Sequence, residues 1–317
     1  QSCAFRTTIG GQALIEGILM RGPEKQAIVV RSPEGLVIRE EELKLIRDKY
    51  PILGLPLIRG SVTFLDSMVK GVKALMFSAD FYPEEAGTEE PSKFEQWLDR
   101  KLGNEKVEKL VIAFSVVVAV AFSVGLFMLL PTFLSSFVEL WTDSVLLRNL
   151  VDALLRIGLF MGYLILVSRM KDIRRVFSYH GAEHKTIFCY ENGLELTVEN
   201  VRPQPKHHPR CGTSFLLVVI IVAILINTIV FAIFPVGNVF LRMLIQLLLL
   251  PLVVGITYEF NRWVGRHVQD SKLAQFLTAP GLWMQNFTTN EPDDSMIECA
   301  IRSLELVLPS EKGKDAW

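Results

Sequence analysis

Charge is scarce in this sequence. Only 21% of its 317 residues are Asp, Glu, Lys or Arg, against 50% hydrophobic residues, and the mean hydropathy of +0.34 is too high for an ordinary soluble enzyme of that length. The apolar excess is expected to sit in membrane spans. Neither sign of charge is in surplus: 33 Lys+Arg meet 34 Asp+Glu for a net -1, which excludes a bulk electrostatic attraction to nucleic acid. Cysteine is also sparse. The four, at positions 3, 189, 211 and 299, show no framework spacing, which argues against a disulfide-stapled secreted scaffold and for reduced thiols facing the cytoplasm. The first residues, Gln-Ser-Cys, offer neither a basic n-region nor an apolar h-region, so internal spans are expected to drive insertion. No repeat, low-complexity tract, GxGxxG or P-loop is present.

What is present is long apolar runs. Residues 110–130 (LVIAFSVVVAVAFSVGLFMLL) carry no charge, and at 1.5 Å per residue such a helix crosses a hydrocarbon core of about 30 Å. Residues 214–234 make a second run, interrupted only by Asn227 and Thr228. Residues 241–258 make a third, with Arg242 at its entry, Gln246 inside and a kink expected at Pro251. The remaining span, 145–168, begins with Arg148, Asp152 and Arg156. Spaced four apart, these form one helical stripe of alternating sign that must face protein or water rather than lipid, as an interfacial half with paired charges or as a polar pathway.

Basic residues set the orientation. Eight lie between Arg169 and Arg210 and none lies in 131–144, so the positive-inside rule puts the segment 169–213 and both termini in the cytoplasm. Ahead of the spans, 26–31 (QAIVVR) and 36–39 (LVIR) flank Ser-Pro-Glu-Gly and read as a β-hairpin. The preceding GGQALIEGILMRGP reads as one further strand. Val62, Leu65, Met68, Val69, Val72, Leu75 and Met76 recur at helical spacing behind a Ser61 cap, in a helix that packs on the sheet or lies on the bilayer. The acidic stretch 83–92 reads as a linker, and Ser92 with Glu95 as a capping box opening the helix into the first span. Pro292, Asp293 and Asp294 open a terminal helix striped by Met296, Ile297, Ala300, Ile301, Leu304 and Leu308. The chain thus reads as an α-helical integral membrane protein of about four transmembrane helices, with a small α+β cytoplasmic domain from the N-terminal region and the C-terminal tail. Its parts are a hairpin and helix region (1–90), an amphipathic lead-in (91–109), spans one and two (110–168), a His/Cys-rich loop (169–213), spans three and four (214–258) and a tail (259–317). Front region and tail are expected to pack together, since neither can bury its apolar face alone.

Chemistry concentrates in the loop. Four of the five histidines, 180, 184, 207 and 208, and two of the cysteines, 189 and 211, lie there. His180-Gly181-Ala182-Glu183-His184 is an H-x-x-E-H spacing, which on a helix puts two imidazoles on one face with a carboxylate beside them. His208 and Cys211 offer a second ligand pair at a turn, and the thiolate and imidazoles suit zinc or another transition metal. Four ligands, His180, His184, His208 and Cys211, would make a closed structural site; three would leave room for water with Glu183 as its base. A hydrogen-bonded or interfacial histidine cluster is the alternative. Two further carboxylates are candidates: Glu259, for which a salt bridge to Arg262 competes, and Glu16, whose place in an apolar run calls for a partner such as Arg21 or Arg31.

The stretches GGQALIEGILMRGPEKQAIVVRSPEG, YHGAEHKTIFCYENGLELTVENVR, HHPRCGTSF and TAPGLWMQNFTTNEPDDSMIECAI resemble the bacterial YqhQ-like membrane proteins, a family of unknown function, from about Ile9 to Leu308. The resemblance implies a multi-pass protein of the bacterial inner membrane. The label of predicted metal-dependent enzyme attached to such proteins rests on the same histidine motifs. Two functions stay open: a metal-dependent hydrolase at the cytoplasmic membrane face, and a non-catalytic scaffold, assembly factor or transport component. The partner implied is the lipid bilayer, with self-association or other membrane proteins open and no nucleic acid. The topology has a direct test: a cysteine introduced at Asn192 should resist an impermeant thiol reagent added to intact cells, and labelling from outside would reverse the assigned orientation.

Overall fold

The computed structural model describes residues 5–43, 50–82, 104–311 and 313–316, with backbone alone at 104–110 and 112. The acidic stretch 83–92 and the Ser92 capping box lie outside the described residues. The chain divides into two compact units, Gln1–Tyr82 with Tyr163–Ile226 and Leu248–Trp317, and Pro83–Gly162 with Asn227–Leu247.

The first unit opens on an antiparallel meander of four strands in sequential order: β1 (Gly10–Leu14), β2 (Gly17–Arg21), β3 (Lys25–Ser32) and β4 (Gly35–Glu42). The expected hairpin is β3 with β4, Ser32 opposite Gly35, whose φ of 133° needs a glycine. The stretch before it forms two strands rather than the one expected. Glu16 takes a left-handed φ of 49° and turns the chain so that Leu14 pairs with Gly17. Ile15-Glu16 carries none of the Gly, Asn or Asp that usually marks such a turn, so the apolar run reads as unbroken.

Among the described residues ten α-helices follow: α1 (Ile58–Ala79), α2 (Asn104–Val124), α3 (Leu130–Ser136), α4 (Val145–Ser168), α5 (Lys171–Glu191), α6 (Val198–Val201), α7 (Gly212–Ile233), α8 (Val239–His267), α9 (Lys272–Thr288) and α10 (Asp294–Glu305). Among the described residues four helical stretches are long and apolar enough to cross a membrane: Ala113–Leu140, Val145–Ser168, Gly212–Ile233 and Val239–His267. The first is α2 and α3 joined by a π-helical turn, Gly125–Leu129. The last extends beyond the expected Tyr258, and Pro251 lies inside it, its carbonyl accepting from Ser61 Oγ at 2.8 Å. Ser61 is therefore not a cap. Helix α1 starts earlier, after Leu57, where no side chain caps it.

Both faces of the sheet are covered, which is why β2 and β3 are apolar at consecutive positions. Ile18, Met20, Ala27 and Val29 pack with Tyr179, Ala182 and Ile187 of α5 and with Met296, Ile297, Ala300 and Leu304 of α10. Leu14, Leu19, Ile28 and Val30 pack with Ala74 and Phe77 of α1 and with Phe81 and Tyr82. The tail helix α10, capped by Asp293 accepting from Met296 N at 3.0 Å, thus completes the core of the N-terminal sheet. Half of the expected loop 169–213 is helix: α5 runs six turns, and from Tyr179 to Ile187 every residue is buried although five of those nine side chains are polar. Helix α9 was not expected, because Pro280-Gly281 in its middle argues against a helix; Gly281 is where Ser214 packs close. In the second unit the stripe Arg148, Asp152 and Arg156 is buried against protein.

Ile297 is fully buried between α10 and the sheet. Ile297→Ala should cost about 2–4 kcal/mol. Thermal unfolding of the detergent-solubilised chain followed by circular dichroism checks this, and an unchanged midpoint would mean that the tail helix does not close the core.

Candidate metal centre

Helix α5 carries His180 and His184 one turn apart, with ring centroids 4.3 Å from each other. Their outer nitrogens are held by backbone carbonyls: His180 Nδ1 bonds Thr288 O at 2.8 Å and His184 Nδ1 bonds Lys206 O at 2.6 Å. Carbonyls only accept, so both Nδ1 atoms carry the proton, and a neutral ring then has its lone pair on Nε2. His180 Nε2 lies 3.1 Å from Cys211 Sγ. One ligand atom each from His180, His184 and Cys211 lies within 4.8 Å of the other two, a spread that one ion could bridge with small side-chain adjustments. Histidines oriented by carbonyls on the far nitrogen are the usual supporting arrangement around a metal. The donor set, two imidazoles and a thiolate, fits zinc or a similar transition ion.

The surroundings are built for close approach. Gly181 faces Asn290, whose backbone oxygen occupies the place a Cβ would need. Only glycine lets the strand-like segment after α9 lie along α5, where Asn290 N donates to Phe177 O at 2.9 Å and brings Thr288 O to His180. Gln285 of α9, fully buried, accepts from His208 N and donates to His208 O, both at 2.8 Å, and donates to Ser214 Oγ at 3.1 Å, fixing the turn that delivers Cys211. Cys211 stands at the start of α7, and Thr213 N donates to its sulfur at 3.4 Å. Burial raises the Cys211 thiol, but the charge of His180 and His184 outweighs it and holds the thiol well below its ordinary value. Burial lowers His180, and the facing Cys211 thiolate more than reverses this, to about 9. The two shifts are reciprocal, each group favouring the charged form of the other.

Glu183 is 5% exposed and points toward the sheet, where Oε1 accepts from Gly11 N at 2.9 Å. A side chain at Gly11 would meet Leu19 O at 2.6 Å and the Glu183 carboxyl carbon at 3.1 Å, so glycine there admits the carboxylate. Oε2 is buried without a hydrogen-bond partner. Burial raises the pKa of Glu183, opposed by His180 and His184.

His208 takes a different place from the other three. Its ring centroid is 5.6 Å from that of His184, but Nε2 faces Glu191 Oε2 at 3.6 Å and Nδ1 accepts from Arg210 N at 3.3 Å. Burial lowers His208 to about 4. Glu191, 1% exposed, also accepts from Thr7 N at 2.9 Å and from Arg210. Burial raises its pKa, but His208 and Arg210 bring it below the ordinary carboxylate value. Glu191, Gln285 and Thr288 were not singled out from sequence, since each acts through a contact distant along the chain. The other candidate carboxylates are engaged elsewhere. Glu259 bonds Arg59 Nε at 2.6 Å and Nη2 at 2.5 Å rather than Arg262. Glu16 is held by Arg175 and by the OH of Tyr179, the residue immediately before His180, at 3.1 Å, rather than by Arg21 or Arg31. Those two arginines bond Ser67 Oγ at 3.0 Å and Ser295 O at 2.8 Å.

Over 303 residues the chain is 33% identical to the uncharacterized protein YqhQ of Bacillus subtilis (strain 168), covering 94% of this chain and 92% of the relative. No solved structure matches it. Residues 55–310, which include α5, Cys211 and α9, match the model of a protein family of unknown function, DUF1385, and the chain belongs to that family.

Proposed function

We propose that this chain is a metal-dependent hydrolase of the bacterial inner membrane, its four apolar helices spanning the bilayer and its metal centre and termini on the cytoplasmic side. Zinc or a similar ion is held by His180, His184 and Cys211. The observation that carries the reading is the conjunction of two histidines locked with Nε2 toward a thiolate and a buried neighbouring carboxylate, Glu183, with one oxygen unpartnered. Three protein ligands leave a position for water or substrate. When bound, the ion supplies a Lewis acid that polarises the scissile carbonyl or phosphoryl group and acidifies water.

The chain's own groups do the rest. Gly11 N fixes Oε1 of Glu183, so Oε2 is the atom that takes a proton from water as the water oxygen bonds to the substrate. That proton then passes to the leaving group as its bond breaks. Burial favours the protonated form of Glu183, which holds the proton between those two events. Thr288 O and Lys206 O keep the imidazoles oriented throughout.

His208 supports a second reading. Its Nε2 lacks a hydrogen-bond partner and its ring neighbours that of His184, so a turn away from Glu191 would add a fourth ligand and close the site as a structural staple of a scaffold, assembly factor or transport component. Elemental analysis of the purified full chain separates the two. Wild type should hold about one transition-metal ion per chain, lost in His180→Ala, His184→Ala and Cys211→Ala but kept in His208→Ala. Loss in His208→Ala as well selects the closed site. A wild type free of metal and unresponsive to added zinc removes both readings.

The base has its own expected outcome. Glu183→Gln should keep the metal and lower hydrolysis of a panel of ester, amide and phosphoester substrates by about a hundredfold or more. Undiminished hydrolysis in that variant would remove Glu183 from the chemistry.

A further inference from the structure

The second unit contains a charge arrangement that the metal centre does not use. Among its described residues three guanidiniums are buried, Arg148 at 4%, Arg156 at 4% and Arg242 at 3% exposed, with one buried carboxylate, Asp152. Arg156 is paired: its Nε donates to Asp152 Oδ2 at 2.7 Å, and its Nη2 to Thr132 Oγ1 at 2.8 Å and Gln246 Oε1 at 3.1 Å. That pair closes on itself. Arg148 and Arg242 are left facing a cavity of about 130 Å³.

Neither arginine is satisfied. Arg148 pairs through Nη1 with Glu139, whose side chain is 44% exposed, while its Nε and Nη2 are buried without a hydrogen bond. Those two atoms form one edge of the guanidinium, the fork that grips an oxyanion with two parallel N–H bonds. Arg242 donates Nη2 to Asn149 Oδ1 at 2.6 Å and lies 4.3 Å over the Phe231 ring; its Nε is unpartnered, and it has no carboxylate among the described residues. Each arginine is the fourth residue of its helix, α4 or α8. Helix N-termini carry partial positive charge, so a cation in the first turn is unfavourable there unless an anion joins it. Ser144 and Gly237, just before the two helices, also line the cavity. The other charges on the wall are Glu139 and Asp143, both exposed.

We propose that this cavity binds a phosphate group, free or as the headgroup of an anionic lipid, on the unpartnered edge of Arg148 and on Arg242, with the group displacing Glu139 from Arg148. Phosphate suits the site because its tetrahedral oxygens can meet donors converging from two helices, where a planar carboxylate offers one edge. Glu139 acts as the resident counter-ion, and its exposure lets it swing out. This inference does not depend on the metal centre.

The test uses the full chain in a neutral maltoside detergent, with thermal unfolding and titration as readouts. Probes are inorganic phosphate against chloride at equal ionic strength, and micelles doped with phosphatidylglycerol against diacylglycerol. One phosphate-bearing probe should stabilise the protein saturably. Stabilisation by inorganic phosphate assigns a soluble anion, and stabilisation by phosphatidylglycerol alone assigns a lipid. Arg242→Gln should weaken that binding about tenfold, whereas Glu139→Gln should tighten it by removing the competing carboxylate. Should Arg242→Gln fail to fold, Arg242→Lys, which keeps the charge without the fork, and the exposed Glu139→Gln carry the test. No stabilisation by either phosphate probe, equal stabilisation by diacylglycerol, or weaker binding in Glu139→Gln would overturn the proposal.

Discussion

The constraint on which the first unit depends is the burial of a polar helix. From Tyr179 to Ile187, α5 places two histidines, a glutamate, a lysine and a threonine out of water. An unpartnered polar group in that setting costs on the order of 1–3 kcal/mol, and an unpartnered charge costs more. Each neighbouring segment can be understood as supplying partners: Gly11 N for Glu183, Thr288 O for His180, Lys206 O for His184, and Arg202 O with Glu291 for Lys185. The sheet, the turn before α7 and the end of α9 are thereby fixed to one helix.

That arrangement has a mechanical consequence. The same hydrogen bonds that make burial tolerable also set ring orientation, so folding and preorganisation of the donor set are one event. Among the buried atoms that make no hydrogen bond, Glu183 Oε2 and His208 Nε2 belong to residues beside the donor set. Where nearly everything is satisfied, an orphaned atom marks the place at which a ligand would complete the structure. The second unit repeats the logic with opposite sign. There Arg156 and Asp152 pair with each other, and Arg148 and Arg242, each with buried nitrogens that make no hydrogen bond, line a cavity.

Tight backbone contacts set the tolerances. Gly181 against Asn290 and Gly11 against Glu183 are positions where a methyl group would displace a hydrogen-bonding segment by more than a side chain can absorb. Both glycines lie in stretches that carry the family resemblance, and their physical role is close approach rather than flexibility.

The sequence by itself determined the apolar stretches, the β3–β4 hairpin, the capped terminal helix and the pairing of His180, Glu183 and His184 on one helical face. These follow from local quantities: length of apolar run, turn chemistry, capping residues and a period of 3.6. Only the tertiary structure decided that Glu16 turns the chain and binds Arg175, that Glu259 takes Arg59 rather than Arg262, that α9 runs through Pro280, and that Cys211 meets His180 while His208 faces Glu191. Each of these depends on a partner far along the chain. A charge next door in sequence competes poorly with one held rigidly by packing, because the packed partner has already lost the side-chain entropy that a flexible neighbour must give up.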